Sequence, residues 1–364
     1  MATPMLDETT LDTLISAAVA APSIHNSQPW RYRLDPATLT IEVHAAPERM
    51  VRHADPDGRA LHLSVGAAVF NLRVAVAHFG WEPVVRLLPR PADPGHLASV
   101  RLAGVRPGPG GREPDSRRPR ERTADGAEAE GRTRGTRTGG TRTGDGSAPG
   151  LYDALWRRHS NRFPFADRSV PAAVLRALVS AAEREGARLV LPDPAETERL
   201  LELTARADWY ESADPRRRVE SRSWVRDGAA DGVPSSAIGP RDEAGRMPVR
   251  DFSAQGSVRR PPPEPFEPHP VVGVLSSHRD VPADWLRAGQ GLEHVLLLAT
   301  AHGLRASLLH QALEWRELRW VLNDPHGGIG HVQMLLRLGY GPETAATSRR
   351  PVGDVLEPPK WPGR

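Results

Sequence analysis

The stretch WRRHSNRFPF, residues 156–165, carries the side chains best suited to hold an anion. Arg158, Ser160 and Arg162 alternate at the end of a short predicted helix, and alternate side chains of an extended turn point the same way. Two guanidiniums and a hydroxyl on one side suit a phosphate, because arginine forks match its oxygens. His159 is a further candidate phosphate contact. A solvated, charged turn is the alternative, and this stretch alone does not decide between the two.

A second polar stretch, APSIHNSQPW, follows the first predicted helix. Pro22 ends that helix, and Pro29 favours an extended Gln28 that leads into a strand. Ser23, Asn26 and Gln28 offer donors and acceptors between two apolar elements, which indicates a surface that contacts a polar ligand. The alternative is a helix C-cap followed by an asparagine turn. The tryptophan that follows belongs to the core on either interpretation.

The elements around these stretches predict a mixed α+β fold. The first part reads as a helix (11–21), two strands whose apolar and polar residues alternate (WRYRL and LTIEVHA), a buried helix (66–80) and two further strands. The last part reads as helices and strands in a related order, with one helix that opens at Pro171 and closes at Gly186 and a buried helix at 289–303. The two buried helices have equal length and a glycine at each end. We interpret them as copies in an internal duplication; two unrelated core helices are the alternative.

The composition divides the chain into an N-terminal half (1–103), a linker (104–150) and a C-terminal half (151–364). The linker has no large apolar residue between Val105 and Leu151, and its ten Arg and seven acidic residues give a surplus that equals the chain's net charge of +3. Such a segment buries too little surface to offset its ordering entropy, so we predict disorder. An Arg-rich RNA-binding tail is the alternative. Without aromatic side chains for base stacking, we expect no specific nucleic-acid partner.

Residues 206–265 are predicted to form an insertion in the C-terminal half. They are polar and rich in Pro and Gly, and they are too numerous for an ordinary loop. Trp209, Tyr210 and Trp224 are predicted to anchor the insertion as a lid. A loosely held surface insertion is the alternative.

The stretches RHSNR and APSIHNSQPW resemble the two signature stretches of the nitroreductase superfamily of flavin enzymes. In that family both occur in one chain of a homodimer: the first holds the FMN phosphate, and the second reaches the same flavin from the other subunit. Here they are divided between two halves, which is similar to the Acg-type branch of fused proteins with a single FMN. GQGLEHVLLLATAHGL and LLRLGYG…SRRPVGDVL also match it. The resemblance implies a nitroreductase-like fold, duplicated so that one chain mimics the homodimer, and it allows a monomer.

The resemblance also implies which residues bind FMN. Arg350, in SRRPV, matches a basic residue that joins the phosphate. His310 and Gln311 fall where the family has an acidic and a small residue near the reactive edge of the flavin. The predicted FMN-binding residues are Pro22, Ser23, Asn26, Gln28, Arg158, His159, Ser160, Arg162, His310, Gln311 and Arg350.

Two functions follow from the resemblance. The first is an oxidoreductase in which FMN takes hydride from NAD(P)H and passes it to a nitro-compound or a quinone. Since the flavin does the redox chemistry, we nominate no catalytic side chain. The second, favoured by the Acg-type similarity, is a binding protein that sequesters or stores FMN with little turnover. Both remain open at this stage.

The composition excludes several other functions. The chain has no Cys, so it has neither a thiolate nucleophile nor a cysteine metal site. Lys360 is its only Lys, which excludes a Walker A loop. His294 and His302 have no evident carboxylate partner, and we predict no metal. We find neither a secretory signal nor an apolar run of about 20 residues, and we predict a cytoplasmic protein without a membrane partner.

Overall fold

The structure, a computed structural model, describes residues 6–105, 150–252, 260–323, 330–344 and 346–358. Over these residues the chain forms a mixed α+β fold with two sheets. Each sheet packs against a long helix, and the two long helices pack against each other. The predicted α+β class is confirmed. Apart from its ends, the predicted linker lies outside the described residues.

The first half contains two helices and four strands. They are α1 (Glu8–Val19), β1 (Trp30–Asp35), β2 (Thr40–Ala45), α2 (Arg59–His78), β3 (Trp81–Leu87) and β4 (His96–Val105), with 3-10 turns at Ile24–Asn26 and Pro47–Arg49. Helix α2 begins seven residues before its predicted start at Gly66. The cause is Asp55, whose carboxylate accepts hydrogen bonds from the backbone N–H groups of Ala60 and Leu61 over 2.9 and 2.8 Å and so caps the first turn.

The second half contains the remaining elements. They are α3 (Leu151–Arg157), α4 (Ala172–Arg184), β5 (Arg188–Val190), α5 (Pro194–Ala213), α6 (Pro215–Ser223), β6 (Val271–Ser277), α7 (Pro282–Ala301), β7 (Arg305–Leu309), α8 (Arg316–Leu322), β8 (His331–Gly339), α9 (Val352–Val355) and β9 (Leu356–Glu357), with 3-10 turns at Ser235–Ala237 and Gln311–Glu314. Helix α4 begins directly after Pro171, and Gly186, with a φ of 76°, lies two residues beyond its last residue. Both boundaries agree with the prediction.

The two sheets share one strand order. The first runs β3-β4-β2-β1 and the second β7-β8-β6-β5, and all these neighbours are antiparallel. Strand β9 extends the first sheet by pairing in parallel with β1. The C-terminal segment of the chain therefore packs on the N-terminal half.

Helices α2 and α7 cross at a pair of glycines. A Cβ on Gly66 would lie 2.2 Å from the carbonyl oxygen of Leu286, and a Cβ on Gly289 would lie 2.1 Å from that of Leu63. Gly289 follows Gly66 by 223 residues, as Leu286 follows Leu63 and α7 follows α2. The contact is thus reciprocal, as across a two-fold axis. The prediction that these two glycines begin their helices was wrong, because both lie inside them.

The insertion predicted at 206–265 has no separate start, because its first residues continue α5. Trp224 is 8% exposed and packs in a buried cluster with Ile24 of the first half. Tyr210 is half-buried, whereas Trp209 is 68% exposed. Trp209 is therefore not an anchor, contrary to the prediction.

Polar contacts hold the insertion to the first half. Arg49 pairs with Asp231 over 2.5 Å. The Glu220 carboxylate accepts hydrogen bonds from the backbone N–H groups of His53 and Ala54, both over 2.9 Å. These contacts place the insertion beside the polar stretch that follows α1.

Helix α2 is, among the described residues, the one helix long and apolar enough to cross a membrane. Most of its apolar window is buried inside the protein. Its burial against α7 is that of a central core helix.

Candidate functional site

A cavity lies where the two halves and the insertion meet. It has two lobes that share Pro22, Ser23, Ser160 and Arg162. The larger lobe has a volume of about 70 Å³. Its further lining includes His25, Arg59, Leu63, Ser64, Arg250, Phe252, Leu292, Leu308, His310 and Met334. The smaller lobe, called here the cationic lobe, is further lined by Asn26, Arg158, Val233, Thr347 and Arg349.

The structure brings the three residues of the predicted phosphate stretch together at the cationic lobe. Arg158 directly follows α3 in an extended conformation. A β-bridge from Ser160 to Ala306 holds the next residues extended, and Arg162 donates a hydrogen bond to the carbonyl oxygen of Ala237 over 3.1 Å. The expected alternation is therefore present. That these residues bind the FMN phosphate remains a prediction.

The C-terminal basic residue at this lobe is Arg349 rather than the predicted Arg350. The Arg349 Nε donates to the carbonyl oxygen of Val19, at the end of α1, over 3.1 Å. The Arg350 guanidinium instead turns to the carbonyl oxygen of Asp354, over 2.8 Å. Its backbone N–H donates to Gln28 Oε1. Of these two neighbouring arginines, Arg349 lines the lobe and Arg350 does not.

Burial and like charges shape the electrostatics of the cationic lobe. Burial and the neighbouring Arg158 lower the pKa of Arg349 to about 9. Burial and Arg250 lower the pKa of Arg162 to about 10. Among the described residues, no carboxylate lines this lobe. Glu293 lies behind Arg158, with Oε1 3.4 Å from Nε, and burial raises the pKa of Glu293 to about 7. A bound anion would relieve this repulsion.

The backbone of the second polar stretch is strained where it lines the cavity. His25, Asn26 and Gln28 have φ values of 50°, 54° and 50°, in a region that residues other than glycine adopt at a cost. The prediction of an extended Gln28 before Pro29 was therefore wrong. Ser23 stabilises the turn, since its Oγ accepts a hydrogen bond from the Gln28 N–H over 2.9 Å. Strain of this kind is concentrated at functional sites.

The structure separates Asn26 from Gln28 in role. The Asn26 amide donates to the carbonyl oxygens of Gly232 and Ser348 over 2.9 and 3.0 Å. Its Oδ1 is buried without a partner among the described residues. The Gln28 side-chain amide donates a hydrogen bond to the carbonyl oxygen of Ala230 over 2.9 Å, and its Oε1 accepts one from the backbone N–H of Arg350. Gln28 does not line the cavity and joins loops around it; that it binds FMN stays a prediction.

Of the three remaining predicted residues, only His310 lines the cavity. His310 lines the larger lobe, and its Nδ1 lies 2.5 Å from Glu314 Oε1. Gln311 is buried but lines neither lobe. His159 lines neither lobe, and its Nδ1 lies 3.0 Å from the carbonyl oxygen of Arg157.

Residues of the insertion line the larger lobe, and sequence analysis did not identify them. Phe252 is buried and packs edge-on against His25, with ring centroids 5.4 Å apart. Arg250 is buried and forms ion pairs with Glu211, over 2.8 Å, and with Glu314. Burial and the charge of Arg250 lower the pKa of His25 well below its ordinary value, so that the imidazole is neutral at pH 7. Packing between residues far apart in the sequence creates this arrangement, so no short motif predicts it.

The predicted absence of a carboxylate beside His294 was wrong. The His294 Nδ1 lies 3.2 Å from Glu185 Oε1, and its ring stacks on Phe70 at 4.7 Å. Glu185 also pairs with Arg73. These contacts join α2, α4 and α7 in the core.

No family model matches the chain. Among curated proteins, the chain is 32% identical over 368 residues to the putative NAD(P)H nitroreductase Rv3131 of Mycobacterium tuberculosis, covering 100% of this chain and 94% of the relative. It is 29% identical over 366 residues to the putative NAD(P)H nitroreductase acg of the same organism, covering 97% and 96%. The chain belongs to the nitroreductase superfamily, on its Acg-like side.

Solved structures give more distant similarities. A nitroreductase with bound FMN from Bacteroides fragilis aligns at 15% identity and a TM-score of 0.34, covering 56% of this chain and 94% of that one. The FMN and NADPH-dependent nitroreductase NfnB from a Sphigopyxis species aligns at 20% identity and a TM-score of 0.35, covering 59% and 99%. With TM-scores below 0.5, the assignment depends on the curated relatives.

Proposed function

We propose that the cavity binds one FMN and that the protein is an FMN-dependent NAD(P)H oxidoreductase acting on nitro-compounds or quinones. The observation that carries the proposal is the cationic lobe, where Arg158, Arg162 and Arg349 surround a buried space beside Ser160. A phosphate would supply the missing negative charge, and guanidinium forks match its oxygens. The names of the curated relatives support the same activity.

The side chains that line the larger lobe have the chemistry that the flavin ring of FMN needs. Leu63, Leu292 and Met334 offer apolar surface to a planar ring, and His25 and Ser64 offer polar atoms at its border. The His25 Nε2 is buried without a partner among the described residues. When bound, FMN would supply the redox chemistry. The protein would fix the position of the ring, exclude water and hold the phosphate.

We further propose that the two halves arose by duplication and replace the two subunits of a dimer. The equal strand order of the sheets and the reciprocal contact of α2 with α7 support this proposal. The cavity supports it as well, because Ser23 from one half and Ser160 from the other line the same lobes. The chain would then act as a monomer, which light scattering on the purified protein would test.

A second candidate function, FMN sequestration, is supported by the insertion. Phe252 and Arg250 line the larger lobe, whose volume of about 70 Å³ is well below the roughly 300 Å³ at which ligand pockets begin. A ring could enter only if these side chains moved. A protein that closes over FMN in this way would protect the flavin from acceptors.

An anaerobic absorbance spectrum, before and after NADPH, separates the candidates. A flavin band that bleaches with NADPH supports the oxidoreductase. A band that persists with NADPH and disappears with dithionite supports sequestration. If the purified protein shows no flavin band and added FMN does not bind, both proposals are wrong.

Site variants test the phosphate assignment. The double change Arg158→Ala and Arg162→Ala should release FMN, since each charge-assisted hydrogen bond contributes about 1.5–3 kcal/mol. Ser160→Ala is a milder variant that should weaken binding without unpairing a buried charge. Arg157→Ala is the matched control, because this neighbour is exposed and lines neither lobe. Full retention of FMN by the double variant would contradict the assignment.

A further inference from the structure

A second cluster of chemically capable side chains lies on the outer face of the first sheet. Glu42 and His44 alternate on β2, and the register places His96 of β4 opposite His44. The neighbouring residues Ile41 and Val43 point to the other face, into the core. The cluster is therefore built on two paired strands, and none of its three residues lines the cavity.

An irregularity in the sheet brings the two histidines together. The register of β2 with β4 shifts between Val43 and His44, so that Leu97 is passed over and His96 pairs with His44. The two imidazole rings are 4.5 Å apart between centroids. Bulges of this kind re-aim side chains, and this one aligns a histidine that a regular ladder would place on the core face.

The three side chains have the spacing of metal ligands. One ligand atom from each of Glu42, His44 and His96 lies within 4.8 Å of the others. The His44 Nε2 is 3.3 Å from Glu42 Oε2. Two ligands that each bond Zn²⁺ at about 2.0–2.1 Å in a tetrahedron lie about 3.3 Å apart. Glu42 and His44 therefore already have the separation of a ligand pair, and the stacked rings of His44 and His96, inclined by 20°, must turn for their lone pairs to meet at one ion.

The hydrogen bonding of His96 points to the same use. Its Nε2 lies 2.9 Å from Ser99 Oγ, while its Nδ1 is buried without a partner among the described residues. His96 is only 1% exposed, and a buried, unpaired ring nitrogen is costly. Metal-bound histidines commonly donate the other ring N–H to an outer partner. If Ser99 accepts from Nε2, the lone pair of Nδ1 is free to bind a cation.

We propose that Glu42, His44 and His96 form a binding site for a first-row divalent cation, with Zn²⁺ as the ion that their chemistry fits. Two imidazoles and a carboxylate are the ligand set of three-coordinate protein zinc sites, which leave a fourth position for water. The ion would join β2 to β4 at their bulge. Its location assigns it a structural or regulatory part, and the proposal does not depend on flavin binding.

Two arginines compete with the ion for the same carboxylate. Arg90 lies 3.1 Å and Arg33 3.7 Å from the oxygens of Glu42, with side chains 59% and 41% exposed. Their exposure lets them turn into solvent when a cation binds. Both arginines carry positive charge. Removing either one should therefore strengthen the binding of a cation to Glu42.

Calorimetric titration of the untagged full-length protein with ZnCl₂ tests the proposal. We expect one ion per chain, and a loss of affinity of about 100-fold or more for His44→Ala or His96→Ala. Ser99→Ala removes only the outer partner and should cost about 10–100-fold. His302→Ala is the matched control, because this exposed histidine lies at the far end of α7. Arg90→Ala should bind Zn²⁺ more tightly than the wild type.

Three results would overturn the site. The first is no binding of Zn²⁺ by the wild type in the micromolar range. The second is binding that His44→Ala and His96→Ala leave unchanged. The third is an Arg90→Ala variant that binds Zn²⁺ less tightly, because removing a positive charge that competes for Glu42 cannot weaken a cation held by that carboxylate. The mild variants Ser99→Ala and Arg90→Ala keep the test decisive if a histidine variant fails to fold.

Discussion

Gly66 of α2 and Gly289 of α7 lie in direct contact. A Cβ built on Gly66 would be 3.0 Å from the Gly289 Cα and still closer to the carbonyl oxygen of Leu286. The two central helices therefore approach each other along their backbones, with no side chain between them. This contact fixes the distance between the two halves, and hence the width of the cavity to which both contribute.

Replacing either glycine should separate the helices. Gly66→Ala or Gly289→Ala places a methyl group about 2 Å from a backbone carbonyl, and overpacking of a core costs about 1–3 kcal/mol or more. We expect a lower midpoint in urea denaturation. Gly104→Ala is the control, because a Cβ there meets nothing within 4 Å. Equal midpoints for all three variants would show that α2 and α7 are farther apart than described.

The sequence predicted local features of the fold well. Alternation identified β1 and β2, and the Pro171 and Gly186 signals bounded α4. The predicted starts of α2 and α7, at Gly66 and Gly289, were wrong because both glycines lie inside their helices. Their true role depends on a partner helix 223 residues away, which periodicity within one segment does not reveal.

The candidate site was predictable only where a short motif carried it. Arg158, Ser160 and Arg162 come together as alternation implied. A motif does not define which of two adjacent side chains, Arg349 or Arg350, points into the lobe. The insertion residues that line the larger lobe reach it through tertiary packing, so their sequence gives no local signal.

Arg349 and Arg350 form a matched pair for FMN binding. Arg349→Ala removes a guanidinium from the cationic lobe and should weaken FMN binding by about 10- to 150-fold, the equivalent of about 1.5–3 kcal/mol. Arg350→Ala removes a side chain that turns to Asp354 and should change the affinity little. Quenching of FMN fluorescence on titration with apoprotein measures both. The reverse ranking would restore Arg350 as the phosphate ligand.

Glu314 should make the free energy of unfolding fall at acidic pH. Burial acts to raise the pKa of Glu314, but Arg250 and His310 outweigh it and lower the pKa to about 2. Since the unfolded carboxyl has a pKa near 4.3, the unfolded chain binds the extra proton, and stability falls as the pH drops from about 4.5 to 2. The slope from this one group is about 1.4 kcal/mol per pH unit. Urea midpoints measured between pH 2.5 and 7 report it.

Glu314→Gln should remove that slope and lower stability at pH 7. Breaking a buried ion pair costs about 3–5 kcal/mol, although Glu211 still pairs with Arg250 in the variant. Glu343→Gln is the control, because the Glu343 side chain is 96% exposed. An unchanged acid slope in Glu314→Gln would show that other carboxylates cause the loss of stability.

Phe252 should control access to the bound flavin. The ring is buried against His25 at the larger lobe, so Phe252→Ala removes a wall between the lobe and the insertion. We expect stronger quenching of FMN fluorescence by iodide and faster bleaching by NADPH. Trp209→Ala is the matched control, because this aromatic residue of the insertion is 68% exposed and lines neither lobe. If Phe252→Ala bleaches rapidly while the wild type does not, the insertion is what keeps the protein from turnover. If both bleach at the same rate, the insertion does not gate the flavin, and the sequestration function loses its structural support.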